Sequence, residues 1–206
     1  MSWPGDHLAG RRQRQATPRG VISVTGESPD WPVEDGVLRL GDLAVERGGV
    51  IGDAQLAWQA HGTLNAARDN VIVYPCSYTA THDDQSWLIG PDAVLDPTRW
   101  FIVIPDMFSN GLSSGAADAE DYPAVVTMAD NVRAQHRLLT EHFGVTRVAA
   151  AYGFSMGAGQ AYHWAALFPN SSSAPSSCAA AGWARRSRRT SCAGSGPGSS
   201  RTRNPR

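Results

Sequence analysis

The stretch "RVAAAYGFSMGAGQAYHWAALFP", residues 147–169, decides the fold. Its first part, Arg147–Gly153, is a short run of small and apolar residues, as a strand buried on both faces requires. Its last part, from Ala158 to Phe168, reads as a helix ended by Pro169. Between them, Gly153-Phe154-Ser155-Met156-Gly157 fits G-x-S-x-G. In a strand-to-helix setting this pattern is a nucleophile elbow, a sharp turn that lifts a serine above the end of a sheet. The turn needs small neighbours, and Gly153, Gly157 and Ala158 supply them. The Met156 N–H, at the N-terminus of the helix, can then point at a developing oxyanion.

The pattern extends upstream. "VLRLGDLAVERGGVI" (37–51) and "AQLAWQAHGTLN" (54–65) alternate apolar and polar residues, as half-buried antiparallel strands do. "NVIVYP" (70–75) and "WFIVIPD" (100–106) are nearly continuous apolar runs bounded by turn residues, as in central parallel strands. Val125, Ala129, Val132, His136, Leu139 and Phe143 recur at helical spacing and predict a helix over 125–143. Thr127 and Asp130 form a capping-box pattern near its start, and Gly144 is its stop. His136 lies on the apolar stripe and reads as a packed histidine. A further helix is expected within "HDDQSWLIGPDAVLDP" (82–97). The alternation of strands and helices predicts an α/β layered sheet with an antiparallel edge.

The loops after the two apolar runs border the same end of the sheet. "CSYTATHDD" (76–84) should carry the second oxyanion donor, and the backbone N–H of Ser77 or Tyr78 is the candidate. His82, Asp83 and Asp84 read as a solvated loop or helix cap rather than metal ligands. Cys76 reads as a buried strand-end residue rather than a thiol nucleophile. In "PDMFSNGLSSG" (105–115) most residues shape a turn-rich loop, with Asn110 and Ser113 the candidates for a substrate contact.

The flanks differ. Residues 1–35 are rich in Gly, Pro, Arg and Asp without periodicity and read as a disordered arm. Residues 171–206 contain no Val, Ile, Leu, Phe, Met, Asp or Glu and read as a disordered Arg-, Ser-, Gly- and Ala-rich tail. The folded unit is expected over 36–170. A net charge of −1 gives no reason to expect a nucleic acid or a membrane surface as partner. Three cysteines without metal-ligand spacing, and no signal-like N-terminus, point to the cytoplasm.

The quoted stretches, with "GTLNAARDNVIVYP", "YPAVVTMADNVRAQHRLLTEHFGVTRVA" and above all "DNVRAQHRLL" leading to "SMGAGQ", resemble the homoserine O-acetyltransferase family of the α/β-hydrolase superfamily over residues 36–170. The resemblance implies an α/β-hydrolase fold, a mostly parallel sheet with antiparallel N-terminal strands, cut short after the nucleophile-elbow helix. It implies ping-pong acyl transfer through Ser155, with acetyl-CoA or another acyl donor as substrate and no cofactor or metal. Its partners would be a small-molecule acyl donor and acceptor, and a homodimer is left open. "PCSYTAT" and "GFSMGA" depart from the acetyltransferase patterns and lie closer to the hydrolase-like branch.

The superfamily's chain order places an acid and then a histidine after the serine. Here no Asp or Glu follows Ser155, and the one later histidine, His163, is eight residues along the elbow helix. Where the family has a sequence like "VERAVVVCG", this chain has "SSAPSSCAA" (172–180). Written in GC-ending codons and read one base earlier, the latter encodes Val-Glu-Arg-Ala-Val-Val. A frameshifted tail is therefore expected, leaving an acyltransferase or hydrolase lineage without its base. The alternative is a non-catalytic fragment that acts by binding or is unstable.

Overall fold

A computed structural model describes residues 29–171 and the backbone of residues 178–181. Six strands form one mixed sheet in the order β1-β2-β4-β3-β5-β6. They are β1 (Val33–Ala44), β2 (Val50–His61), β3 (Val71–Val73), β4 (Phe101–Pro105), β5 (Ala150–Phe154) and β6 (Cys178–Ala181). β1 and β2 are an antiparallel hairpin, and β2 pairs antiparallel with β4. β4, β3, β5 and β6 run parallel. Two helices follow the later strands: α1 (Met128–Arg137) and α2 (Met156–Leu167).

The continuous apolar runs divide by parity between the sheet's two faces. Val71, Val73, Phe101 and Val103 join Val132, Leu138, Ala161 and Trp164 under the two helices. Ile72, Tyr74, Ile102 and Ile104 pack with Ile89, Leu95 and Met107 on the other face. Connections thus cover both faces, so β3 and β4 have no solvated side, which is why their sequence does not alternate.

α1 is anchored by the capping box read from the sequence. The Asp130 carboxylate accepts from the Thr127 backbone N–H and from the Thr127 hydroxyl, at 2.9 and 2.8 Å. It also accepts from the Glu46 N–H, at 2.9 Å, and so pins the β1–β2 turn to the start of α1. The helix passes into a wider π-type turn over Leu138–His142, and Gly144 ends it at φ 63°. Arg68 reaches this end and donates to the Phe143 carbonyl at 2.7 Å.

Five features depart from the sequence reading. β1 begins at Val33, inside the segment assigned to an arm, and Trp31 already donates to His61 Nδ1 at 3.1 Å. The alternating run 37–51 is not one strand, because Val45–Gly49 turn the chain between β1 and β2. Val125 lies before the N-cap and is exposed, so α1 starts at the cap rather than at the first apolar residue. The expected helix within 82–97 is a 3-10 helix of seven residues, His82–Leu88. Its sequence offers too few apolar positions at helical spacing to sustain a longer one. In the region read as an unstructured tail, Cys178–Ala181 add β6 alongside β5, through backbone hydrogen bonds that need no apolar pattern. The rest of that reading, and the arm over 1–28, lie outside the described residues.

Asp130→Ala removes the carboxylate half of the capping box and leaves the Thr127 and Glu46 N–H groups without their acceptor. We expect a loss of about 2 kcal/mol in urea unfolding, against a change within experimental error for a substitution at exposed Val125.

Candidate active site

Ser155 stands between the end of β5 and the first residue of α2, at φ 55° and ψ −124°. Few residues other than glycine hold such a backbone, and the strain costs on the order of 1–3 kcal/mol. It persists because the segments around it pack backbone against backbone. A Cβ at Gly153 would collide with the Gly157 carbonyl group, and one at Gly157 with the Pro75 carbonyl oxygen. The Ser155 carbonyl accepts from Ala158 N at 3.1 Å and Gly159 N at 3.4 Å, so α2 begins directly beneath the serine. The Met156 N–H, first in that helix, has no intrahelical acceptor to satisfy it.

The loop after β3 docks on this turn. Ser77 is buried, and its hydroxyl donates to the carbonyl of Phe154, the residue before Ser155, at 2.8 Å. Ser77 to Ala80 form a turn closed by Ala80 N and the Ser77 carbonyl at 3.1 Å. Tyr78 lies in it with its ring exposed. Phe154 and Trp87, also exposed, meet edge to face with ring centroids 6.4 Å apart and form an aromatic rim beside the serine.

A buried carboxylate holds the other end of the loop. Asp106, the residue after β4, is fully buried. It accepts from His82 Nδ1 at 2.5 Å, the His82 backbone N–H at 3.0 Å, Asn110 Nδ2 at 2.7 Å and the Cys76 thiol at 3.5 Å. Burial alone would lower the His82 pKa. The hydrogen bond to Asp106, its charge, and the charges of Asp83 and Asp35 outweigh that, and the net shift is upward. Burial, then the charge of Asp106, raises the Cys76 pKa far enough to keep the thiol protonated, which excludes a resting thiolate nucleophile. His61, nearby, is held down to about 4, first by burial and then by His82. It stays neutral between Trp31 and Gln59.

The remaining candidates resolve into structural roles. Asp84 caps the 3-10 helix, accepting from Thr81 N at 2.9 Å. Asn110 Oδ1 accepts from Leu112 N and Ser113 N. Ser113 is buried, with its hydroxyl between Ala57 N and the Asp106 carbonyl. Both shape the loop. His136 is half-buried, stacked on Phe168 at 3.9 Å, with its pKa lowered by burial. His163 Nδ1 donates to the carbonyl of Gly159 in its own helix at 2.9 Å, and so faces along α2. Among the described residues no three His, Cys, Asp or Glu side chains converge as a metal site, and no helix is long and apolar enough to cross a membrane. A groove of about 460 Å³ between β2 and residues 111–122 is separate from the elbow.

The sheet and its helices have counterparts among known proteins. The family profile described as alpha/beta hydrolase fold matches residues 78–181. The chain belongs to this family. Within it, an ethyl acetate hydrolase of Pseudomonas veronii is 38% identical over 140 residues, covering 65% of this chain and 40% of the relative. A homoserine O-acetyltransferase of Geobacter sulfurreducens is 34% identical over 152 residues, covering 63% of this chain and 41% of the relative. The crystal structure of an acetylester hydrolase from Corynebacterium glutamicum superposes with a TM-score of 0.64 at 38% identity, covering 68% of this chain and 42% of that one. This alpha/beta hydrolase chain thus spans about two fifths of the length of these relatives. The resemblance stated from sequence holds, with esterases and acetyltransferases both among the homologues.

The raised His82 pKa has a defined consequence for stability. A group whose pKa rises on folding stabilises most below its unfolded value, about 6.5, and that contribution is lost as pH climbs through the folded value. The urea midpoint of the wild type should exceed that of His82→Gln most at pH 5.5, and the gap should narrow steadily toward pH 9.

Proposed function

We propose that Ser155 is the nucleophile of an acyl-transfer reaction on a small ester or thioester. The observation that carries this reading is the Ser155 backbone itself, a strained turn kept by Gly153 and Gly157 at the end of β5. Strain of this kind is retained where it serves a site. Esterases and acetyltransferases among the relatives support the same class of chemistry.

In the proposed reaction Ser155 Oγ attacks the acyl carbonyl. A C–O bond forms as the Ser155 hydroxyl gives its proton to water, and the carbonyl π electrons move to oxygen. The N–H group of Met156 and that of Ser77 or Tyr78 stabilise that oxyanion. The tetrahedral intermediate collapses and expels the alcohol or thiol, which takes up a proton, and the acyl-serine passes its acyl group to water or to an acceptor hydroxyl. The exposed rings of Phe154 and Trp87 suit a small apolar acyl or alkyl group.

A serine hydroxyl needs a base, and positions 156–206 offer only His163, bonded back into its own helix, with no Asp or Glu to orient it. These 206 residues are therefore proposed to react once and slowly rather than to turn over. Oxyanion stabilisation and binding alone sustain about 10³–10⁴-fold acceleration over water in triad enzymes stripped of their catalytic residues.

A fluorophosphonate probe tests this. Labelling that disappears in Ser155→Ala, with p-nitrophenyl acetate turnover near background, is the expected result. A folded chain with no labelling dependent on Ser155 would overturn it and leave binding as the role of this surface.

A further inference from the structure

Four buried groups join the two helices to the candidate oxyanion loop in a single line of hydrogen bonds. Trp164 Nε1–H donates to Gln135 Oε1 at 2.8 Å. Gln135 Nε2–H donates to Gln160 Oε1 at 2.5 Å. Gln160 Nε2–H donates to the Cys76 carbonyl at 2.9 Å. Gln135 and Gln160 are fully buried, and Trp164 nearly so. Amide orientations in such lines are open to inversion in general. Here both ends fix them, because an indole N–H only donates and a carbonyl only accepts.

The Cys76 carbonyl belongs to the same peptide group as the Ser77 N–H. In a trans peptide the two point in opposite directions across one plane. Gln160 lies one turn beyond Met156 on α2, on the same face of the helix. Drawing the carbonyl toward Gln160 therefore fixes the Ser77 N–H in the opposite direction, in a residue whose own hydroxyl is bonded to the residue before Ser155. That N–H has no acceptor among the described residues. Gly157, whose missing Cβ lets the Pro75 carbonyl oxygen approach, keeps this stretch of the loop against α2. All the donors point the same way, so each bond polarises the next, and the last peptide becomes a stronger donor.

We propose that Gln160, oriented by Gln135 and Trp164, is a positioning residue that aims and polarises the Ser77 N–H as an oxyanion donor. The proposal rests on the acyl-transfer reading of Ser155 for its purpose, but the aiming of the peptide can be measured by itself. Gln160→Met keeps the length and apolar bulk of the side chain and removes both hydrogen bonds. Gln160→Glu is isosteric when protonated, donating to the Cys76 carbonyl and accepting from Gln135. Burial raises its pKa into an accessible range. Ionised, it cannot donate.

The test measures the rate constant of Ser155 labelling by the fluorophosphonate and the 1H–15N position of the Ser77 amide in the full chain. Loss of a whole oxyanion donor costs about 10²–10³-fold. Gln160→Met should slow labelling about 10- to 100-fold and move the Ser77 amide. For Gln160→Glu, the rate relative to wild type should climb as pH falls from 8 to 5, which a packing role would not produce. Labelling of Gln160→Met within twofold of wild type, or a flat pH ratio for Gln160→Glu, overturns the proposal. Should the wild type not label at all, the reading of Ser155 fails separately. The Ser77 amide then decides: moved in Gln160→Met it supports the aiming role, unmoved it rejects it. Should Gln160→Met not fold, Trp164→Phe removes only the first N–H of the line, and an unchanged Ser77 amide in that variant likewise overturns it.

Discussion

Three stretches of backbone meet at Ser155 with almost nothing between them. The end of β5 lies against the first turn of α2 at Gly153 and Gly157, and that turn lies against the loop after β3 at Pro75. A single methyl group at either glycine would force these segments apart, because the atoms it meets are backbone and cannot swing aside. The strained serine, the buried Ser77 and the start of α2 all depend on this approach. It also sets how far the sheet and helix can separate before the site loses its shape.

Buried polar bonds hold the approach in register. α1 is amphipathic, yet three of its buried residues are polar, and each ties it to a different segment. Asp130 binds the β1–β2 turn, Asn131 accepts from Phe108 N in the loop after β4, and Gln135 reaches Gln160 and Trp164 on α2. This explains why "DNVRAQHRLL" is so distinctive. An apolar helix could have packed on the sheet in several rotations, whereas these bonds leave buried groups unsatisfied in any other. Asp106 does the same for the loop between β3 and β4, through its bonds to the His82 ring and backbone N–H, to Asn110 and to the Cys76 thiol.

Much of this is legible in the sequence. Continuous apolar runs at 70–75 and 100–106 reported strands covered on both faces, and G-x-S-x-G between strand and helix reported the elbow. The helix cap at Thr127 and Asp130 was visible because its partners are three residues apart. What escaped the sequence were partners far apart: His82 with Asp106, Gln135 with Gln160, Gln160 with the Cys76 carbonyl 84 residues away. His82 looked like part of a solvated acidic loop because its neighbours in sequence are solvated. Its true neighbour lies 24 residues on, delivered by β4. No local pattern marks a glutamine that will bond a glutamine.

The sequence by itself determined the central strands and the two helices in outline, where the chain must turn without side chains, and which serine the turn presents. These depend on periodicity and local sterics, and both act over a few residues. Only the tertiary structure decided that the Ser77 side chain docks on the residue before that serine, which carboxylate anchors the loop, and that a fourth parallel strand forms at Cys178–Ala181. Those outcomes depend on burial, which removes water as a partner and leaves each polar group to find one across the fold.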